Sequence, residues 1–324
     1  LLKASPDLAG SLPKKLAGDT KAIAEALQSA WRQYHSGHFQ KAYKEGLKLG
    51  PLGAVVAAKA AGIYATYLED DEDFSTTLFM DAAERAEEAA ELMPGEANTH
   101  YQRAYNLGRY SQAISIAKAL SQGLAGKVKE SLETVLELAP DHSEANTALG
   151  MFHCEVISSV GSVVGGLTYG AKRDAAIRYF EKSLMLHPES SIAHMEYGNG
   201  LLLLYGDKRE DEVVELYEKA SEFEPSDAME KLDLEQARAE LDFLELVPKL
   251  GTLQESLDVR IQKAYKEATV RHPDPRVCLH EGKRVFLRHR YRIFARNKRD
   301  ILVVHFARLG AGRVLVGWVE ENAA

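Results

Sequence analysis

Cysteine is nearly absent, with two in 324 residues, which excludes a disulfide framework and any four-thiolate zinc site. No uninterrupted apolar run reaches the roughly 18 residues that a membrane helix needs. The nearest approach, Val56 to Tyr67, is broken by Lys59 and is rich in small Ala residues that suit helix packing. A secretory leader is also missing as the chain stands. LLKASPDLAG places Lys3, Pro6 and Asp7 where an apolar core should be, and with no initiating Met the earlier removal of a leader stays open. What is present, 45% apolar and 27% charged residues, excludes a disordered or fibrous chain. The length exceeds what one compact core carries and implies two domains or a repeat array.

The net charge of −8 is unevenly spread. Residues 271–324 hold 12 Lys and Arg against 5 Asp and Glu, a balance of +7, and residues 1–270 hold 28 against 43, a balance of −15. Before position 271 the bases are mostly Lys, and after it ten of twelve are Arg.

Internal repetition organises the acidic part. Four segments place small, aliphatic or aromatic residues at i, i+4 and i+7 and a proline five residues later: Ala82, Ala86, Ala89, Pro94; Val128, Leu132, Val135, Pro140; Ala176, Phe180, Ser183, Pro188; and Val213, Tyr217, Ala220, Pro225. The spacing predicts one face of an amphipathic helix, and the proline ends each helix at the same place. A second helix is expected after each of the first three prolines, with Ala104, Gly150 and Gly198 at matching positions. A weaker fifth copy spans Lys21 to Pro51 and carries Trp31, Gly37, Phe39 and Ala42.

These motifs resemble the tetratricopeptide repeat, a helix-turn-helix unit of 34 residues, over residues 20 to 245. Proline spacings of 46, 48 and 37 residues exceed that period, so two repeats must carry insertions of about a dozen residues. LETVLELAPDHSEANTALGMFHCEV, an insertion, and then YFEKSLMLHPESSIAHMEYGNGLLLLYGD resemble bacterial relatives of the regulator-of-microtubule-dynamics proteins. The transporter-associated tetratricopeptide lipoproteins look broadly similar. Both resemblances imply an interaction scaffold and no enzyme.

The expected fold class is therefore all-α, an α-solenoid of about five tetratricopeptide-like helix pairs with a small basic C-terminal β-rich extension. The expected division is a lead segment 1–19, a repeat array 20–247, a linking helix 248–270 and a basic extension 271–324. A flanking helix from Ala228 to Leu246 is expected to cover the last repeat.

Arrays of this kind bind partners with the first helix of each repeat. Those helices offer Asn98, Tyr101, Gln102 and Tyr105, then Asn146 and His153, then His194, Tyr197 and Asn199. Amide, phenol and imidazole groups suit recognition of an extended peptide; a merely hydrated polar groove is the alternative. The uncharged insertion 156–171, VISSVGSVVGGLTYGA, reads either as an apolar flap over a small ligand or as a helix pair packed through its glycines. It lacks the endings of both phosphate-binding glycine motifs.

No catalytic, metal or cofactor site is expected. Cys278, His280, His289 and His305 match no common zinc spacing. Cys154 reads as a small core residue, and His153 points about 100° away from it on a helix. In the tail, Arg284, Arg288, Arg290 and Arg292 interleave with Phe286 and Tyr291, a pattern open to nucleic-acid contact. The acidic array argues against nucleic acid and for a tail docked on the repeats; an appended sequence stays open. The leading expectation is a soluble scaffold for a protein or peptide partner, cytoplasmic or, after loss of a leader, periplasmic. A small-ligand carrier is the alternative, and self-association stays open.

Overall fold

The computed structural model describes residues 8, 19–114 and 116–241, together with backbone strands between 277 and 322. The chain forms two compact units, Leu1–Leu204 with Asp211–Leu241, and Tyr205–Glu210 with Asp242–Ala324.

The first unit is helical. Its elements are α1 (Thr20–His35), α2 (Phe39–Leu47), α3 (Ala54–Tyr67), α4 (Glu72–Leu92), α5 (Ala97–Ala113), α6 (Ile116–Ser121), α7 (Leu124–Leu138), α8 (Ser143–Val160), α9 (Ser162–Tyr169), α10 (Arg173–Leu186), α11 (Ser191–Tyr205) and α12 (Glu210–Glu222). A last helix, α13, covers 228–241. Five helix pairs follow in order: α1 with α2, α3 with α4, α5 with α7, α8 with α10, and α11 with α12. The two long proline spacings are filled by α6 and α9, each inserted inside a pair.

Every helical residue of the four-fold motif is buried, from Ala82 and Ala86 in α4 to Tyr217 and Ala220 in α12. The repeat is visible in the backbone as well. Met93, Ala139 and His187 donate their N–H groups to the carbonyls of Ala89, Val135 and Ser183 at 2.9, 2.7 and 2.9 Å. The last motif residue thus closes its helix in the same way three times, just before the proline. Two residues beyond that proline, Glu96, His142 and Ser190 each turn a side chain back onto an N–H of the next helix, which satisfies a donor the helix start leaves open.

Within the pairs, rings fill notches left by glycine. A Cβ on Gly150 would stand 2.7 Å from the Phe180 ring, and one on Gly198 would stand 2.4 Å from the Tyr217 ring. Only glycine lets α8 and α10, or α11 and α12, approach this closely.

Helix α13 makes contacts beyond those the sequence suggested. Ala228, Met229 and Leu232 pack on Tyr34, Phe39, Val56, Ala60 and Ile63, which belong to α1, α2 and α3. The Tyr34 hydroxyl donates to the Met229 sulfur and Tyr67 donates to Asp233 at 2.6 Å. The helix expected to cover the last repeat does reach α12, where Arg238 donates to the Ser221 carbonyl at 3.2 and 3.3 Å, and it also packs on the first two pairs; periodicity alone carries no such second address. The part of that expectation beyond 241 and the linking helix 248–270 lie outside the described residues.

The insertion 156–171 forms the end of α8 and the short helix α9. Gly161 and Gly170 turn the chain at φ of 82° and 69°, and Gly165 lies against Val156. Val163, Val164 and Leu167 of α9 remain exposed.

In the second unit, β1 (Val277–His280) and β2 (Lys283–Phe286) form an antiparallel hairpin, and β3 (His289–Asn297), β4 (Asp300–Leu309) and β5 (Gly312–Asn322) form an antiparallel sheet in the order β3-β4-β5. In that sheet Arg292 stands opposite Val304, and Val304 opposite Trp318. No helix among the described residues is long and apolar enough to cross a membrane.

Candidate functional site

The first helices of the second to fifth pairs, α3, α5, α8 and α11, each turn one stripe inward, and α13 adds two residues to the same surface. Together they enclose a cleft of ≈ 490 Å³ within the helical unit. From α3 come Ile63 and Tyr67. From α5 come Tyr101, Ala104, Tyr105, Gly108, Arg109 and Gln112; from α8, Glu144, Thr147, Ala148, Met151, Phe152 and Glu155. Ile192, Glu196 and Leu203 of α11 and Met229 and Asp233 of α13 complete the inner wall, with Leu120, Val128, Leu132 and Tyr169 at the far side. Spacings of three, four and seven residues bring these side chains onto common faces.

Charge is concentrated on this surface. Lys59 Nζ lies 3.0 Å from Glu144, and Arg109 Nη2 lies 3.4 Å from Glu196 while its guanidinium covers the Tyr105 ring at 5.5 Å. Burial works against ionisation of Glu144, but the neighbouring ammonium and its hydrogen bond outweigh it and hold the carboxyl below its usual range. Glu155 and Asp233 behave in the opposite way. Burial pushes each up to about 7, with Glu196 adding to the rise. Their hydrogen bonds come from neutral donors, the Gln112 amide and the Tyr67 hydroxyl. Burial also raises the Tyr67 and Tyr101 phenols well above their ordinary value, so both remain donors.

The residues proposed from sequence separate into three groups. Tyr101 and Tyr105 line the cleft, with ring centroids 6.3 Å apart. Asn199 lies beside it, donating to Glu196 at 3.4 Å and accepting from Tyr217. The others sit elsewhere. Asn98 is an exposed residue bonded to Glu96 at the start of α5. Gln102 and Asn146 are buried between helices; Asn146 donates to the His142 carbonyl at 2.9 Å. His194 is buried, bonded to the Ser190 carbonyl and set against Phe223. Tyr197 stacks on Phe180 with centroids 4.9 Å apart.

His153 faces a second, smaller cleft of ≈ 410 Å³ on α7, α8 and α10, with Lys129, Lys172, Arg178 and Lys182 around it. Its ring stacks on Tyr179, and burial, reinforced by Lys129, lowers its pKa to about 4.

Sequence reasoning missed Arg109, Glu144, Glu155, Glu196 and Asp233. A usable signal existed for two of them. Arg109 and Glu155, like Leu203 on the same wall, stand fifteen residues after their turn proline, so position within the repeat marks the groove better than residue type does. Asp233 carries no such mark because α13 lies outside the repeat.

Chemically, the cleft offers carboxylates, phenols and one guanidinium but no activated nucleophile. Cys154 is fully buried, and its thiol is pushed up to about 12 by burial. Among the described residues, no three His, Cys, Asp or Glu side chains are arranged to hold a metal ion.

A family profile described as regulator of microtubule dynamics protein 1-3 matches residues 35–245, more than half of the chain. No curated protein matches it. Among solved structures, TTC0263, a thermophilic TPR protein of Thermus thermophilus, superposes with a TM-score of 0.47 at 15% identity, covering 67% of this chain and 99% of that one.

Proposed function

The chain belongs to the regulator-of-microtubule-dynamics family, and from that membership we propose that the helical unit is a non-enzymatic scaffold receiving a segment of a partner protein in the cleft between α3, α5, α8, α11 and α13. The observation that carries this reading is the cleft itself: apolar walls around a few convergent polar groups, in the size range that accepts several side chains. Tyr101 and Tyr105 supply rigid amphipathic contacts at low entropic cost, and the fold spends its inward stripes on this surface rather than on packing.

Gly108 provides the test. It lines the cleft, and a Cβ there meets no atom within 4 Å. Gly108→Trp is expected to fill the cleft without displacing a helix. Peptides selected from a displayed random library on the wild-type chain should bind this variant at least about tenfold more weakly, with its circular dichroism unchanged. Equal binding by both chains removes the cleft from the function.

The insertion favours a second reading, a small-ligand carrier, because Ser158, Ser159, Val160 and Tyr169 contribute to the cleft wall. Native mass spectrometry of the purified chain checks it; an empty protein in every preparation argues for the peptide.

A further inference from the structure

The cleft is lined by four carboxyl groups, Glu144, Glu155, Glu196 and Asp233, and by one base, Arg109. Lys59 answers Glu144, and Arg109 answers Glu196. Among the described residues, Glu155 and Asp233 meet no basic side chain within ion-pair distance, only the Gln112 amide and the Tyr67 hydroxyl. Asp233 is 3% exposed. Carboxyls withdrawn from water without an ion-pair partner are costly to ionise. Glu155 reaches the Arg109–Glu196 pair only through the Gln112 amide, which donates to it and accepts from Arg109 at 3.2 Å. Both acids line the same cleft as Arg109 and Glu196.

We infer that the cleft is built for a partner segment carrying one lysine or arginine among apolar residues. The cation seats against Glu155 and Asp233, and its apolar neighbours lie on Met151, Phe152 and Leu203. This rests on the peptide-binding reading above and supplies the chemistry of the partner. Charge complementarity is the main argument: the incoming ammonium or guanidinium supplies the ion-pair partner that Tyr67 and Gln112 do not, and lets both carboxyls ionise. Phenols flank the position, and aromatic faces favour a cation. A metal ion does not fit, since the carboxyls are not set in ligand geometry. Residues 20–247, the repeat array, hold 21 Lys and Arg against 38 Asp and Glu, a balance of −17, which steers a basic segment toward it. Val163, Val164 and Leu167 are exposed on α9, the helix whose Tyr169 lines the cleft.

The experiment uses the full chain and peptides enriched from a displayed random twelve-residue library. Enriched peptides are expected to share one Lys or Arg between apolar residues. For a fluorescein-labelled representative, replacing that residue by norleucine should weaken binding at least about tenfold, the scale of a lost buried charge contact. Replacing it by Glu should abolish binding. In Glu155→Gln/Asp233→Asn the Lys and norleucine peptides should bind within about twofold of each other. Should that double variant fail to fold, the norleucine comparison on the wild-type chain decides alone.

Enriched peptides without a basic residue, or a norleucine peptide that binds equally well, overturn the inference while leaving the peptide-binding reading standing. Cadaverine competing at the peptide's own concentration assigns the site to a free amine and overturns it as well. If Gly108→Trp binds every enriched peptide like the wild type, the peptide-binding reading itself fails.

Discussion

The seams inside the helix pairs and the cleft between them use different faces of the same helices, and they handle volume and charge in opposite ways. In the seams, α8 and α11 present Gly150 and Gly198 to the rings of Phe180 and Tyr217, with no room for one more carbon. In the cleft, α5 presents Gly108 to open space and α8 presents Glu155 to the neutral Gln112 amide. A seam that must close fixes residue size at every copy; a surface meant to be covered by something else leaves both volume and charge unbalanced. The array thus separates what holds it together from what it offers, and each half of that contrast can be tested by itself.

The largest effect belongs to the seam ring. Phe180 is fully buried, lies between Gly150 and Gly200 and stacks on Tyr197. Phe180→Ala should cost about 3–5 kcal/mol, the sum of lost transfer and residual cavity. Urea denaturation followed by circular dichroism measures it; a cost below about 1 kcal/mol would show that the pairs do not depend on the ring-in-notch contact.

Two glycines sharpen the contrast further. Gly198→Ala forces a carbon to within 2.4 Å of Tyr217 and should cost about 1–3 kcal/mol through overpacking. Gly108→Ala adds the same carbon in the cleft, where nothing lies within 4 Å, and should gain up to about 1 kcal/mol from helix propensity. Thermal melts of the two variants should move in opposite directions. Shifts of the same sign would mean that the cleft is packed like a seam.

That difference also sets what could be read from sequence. The seam is periodic because every pair solves the same problem, so its twelve motif positions, its prolines and the two insertions were legible. The cleft collects one stripe from each of several helices, and residue type misled there. Asn146 and His194 share a repeat position, six residues after their prolines, and both are buried between helices. Tyr197 has the chemistry of a contact residue, but Phe180 claims its ring. The acid that gives the cleft much of its character, Asp233, arrives on α13, whose return to α1 and α3 depends on a tertiary match between apolar faces. A charge of −15 over residues 1–270 told of an acidic array, not of carboxyls inside it that are held by neutral donors.

The main cleft and the smaller cleft on α7, α8 and α10 should divide the pH dependence of stability. Asp233 titrates near 7 when folded, raised first by burial and further by Glu196, against the opposing Tyr67 hydrogen bond and Arg109 and Lys59 charges. Its unfolded value is the ordinary carboxylate one. Between those values the folded chain binds the extra proton, so stability falls as pH rises through that window, and the loss is complete above it. Asp233→Asn should therefore gain about 1–2 kcal/mol at pH 8, less than the full shift implies because the site relaxes, and little at pH 4. His153, on the α8–α10 side, acts in reverse. Burial, then Lys129, lowers its pKa to about 4, so stability falls as pH drops from about 6.5 toward 4. His153→Leu should flatten the acid arm alone. Urea midpoints across pH 4–8 check both; an alkaline arm unchanged by Asp233→Asn would place the uncompensated charge elsewhere.

The smallest effect is expected where the apolar surface is most exposed. Leu167 is 86% exposed and Val163 72% exposed on α9, while Gly165 on the other face meets Val156. If α9 is held by its glycine face and offers its aliphatic face outward, Val163→Ser/Leu167→Ser removes no packing, and the melting temperature should change by no more than a surface substitution allows, within about 0.5 kcal/mol in stability. The same variant should lose affinity for the enriched peptides, since exposed aliphatics beside a charged cleft add contact area only when a partner covers them. A large loss of stability would instead make this face part of the fold's own packing, and α9 would then belong with the seams rather than with the cleft.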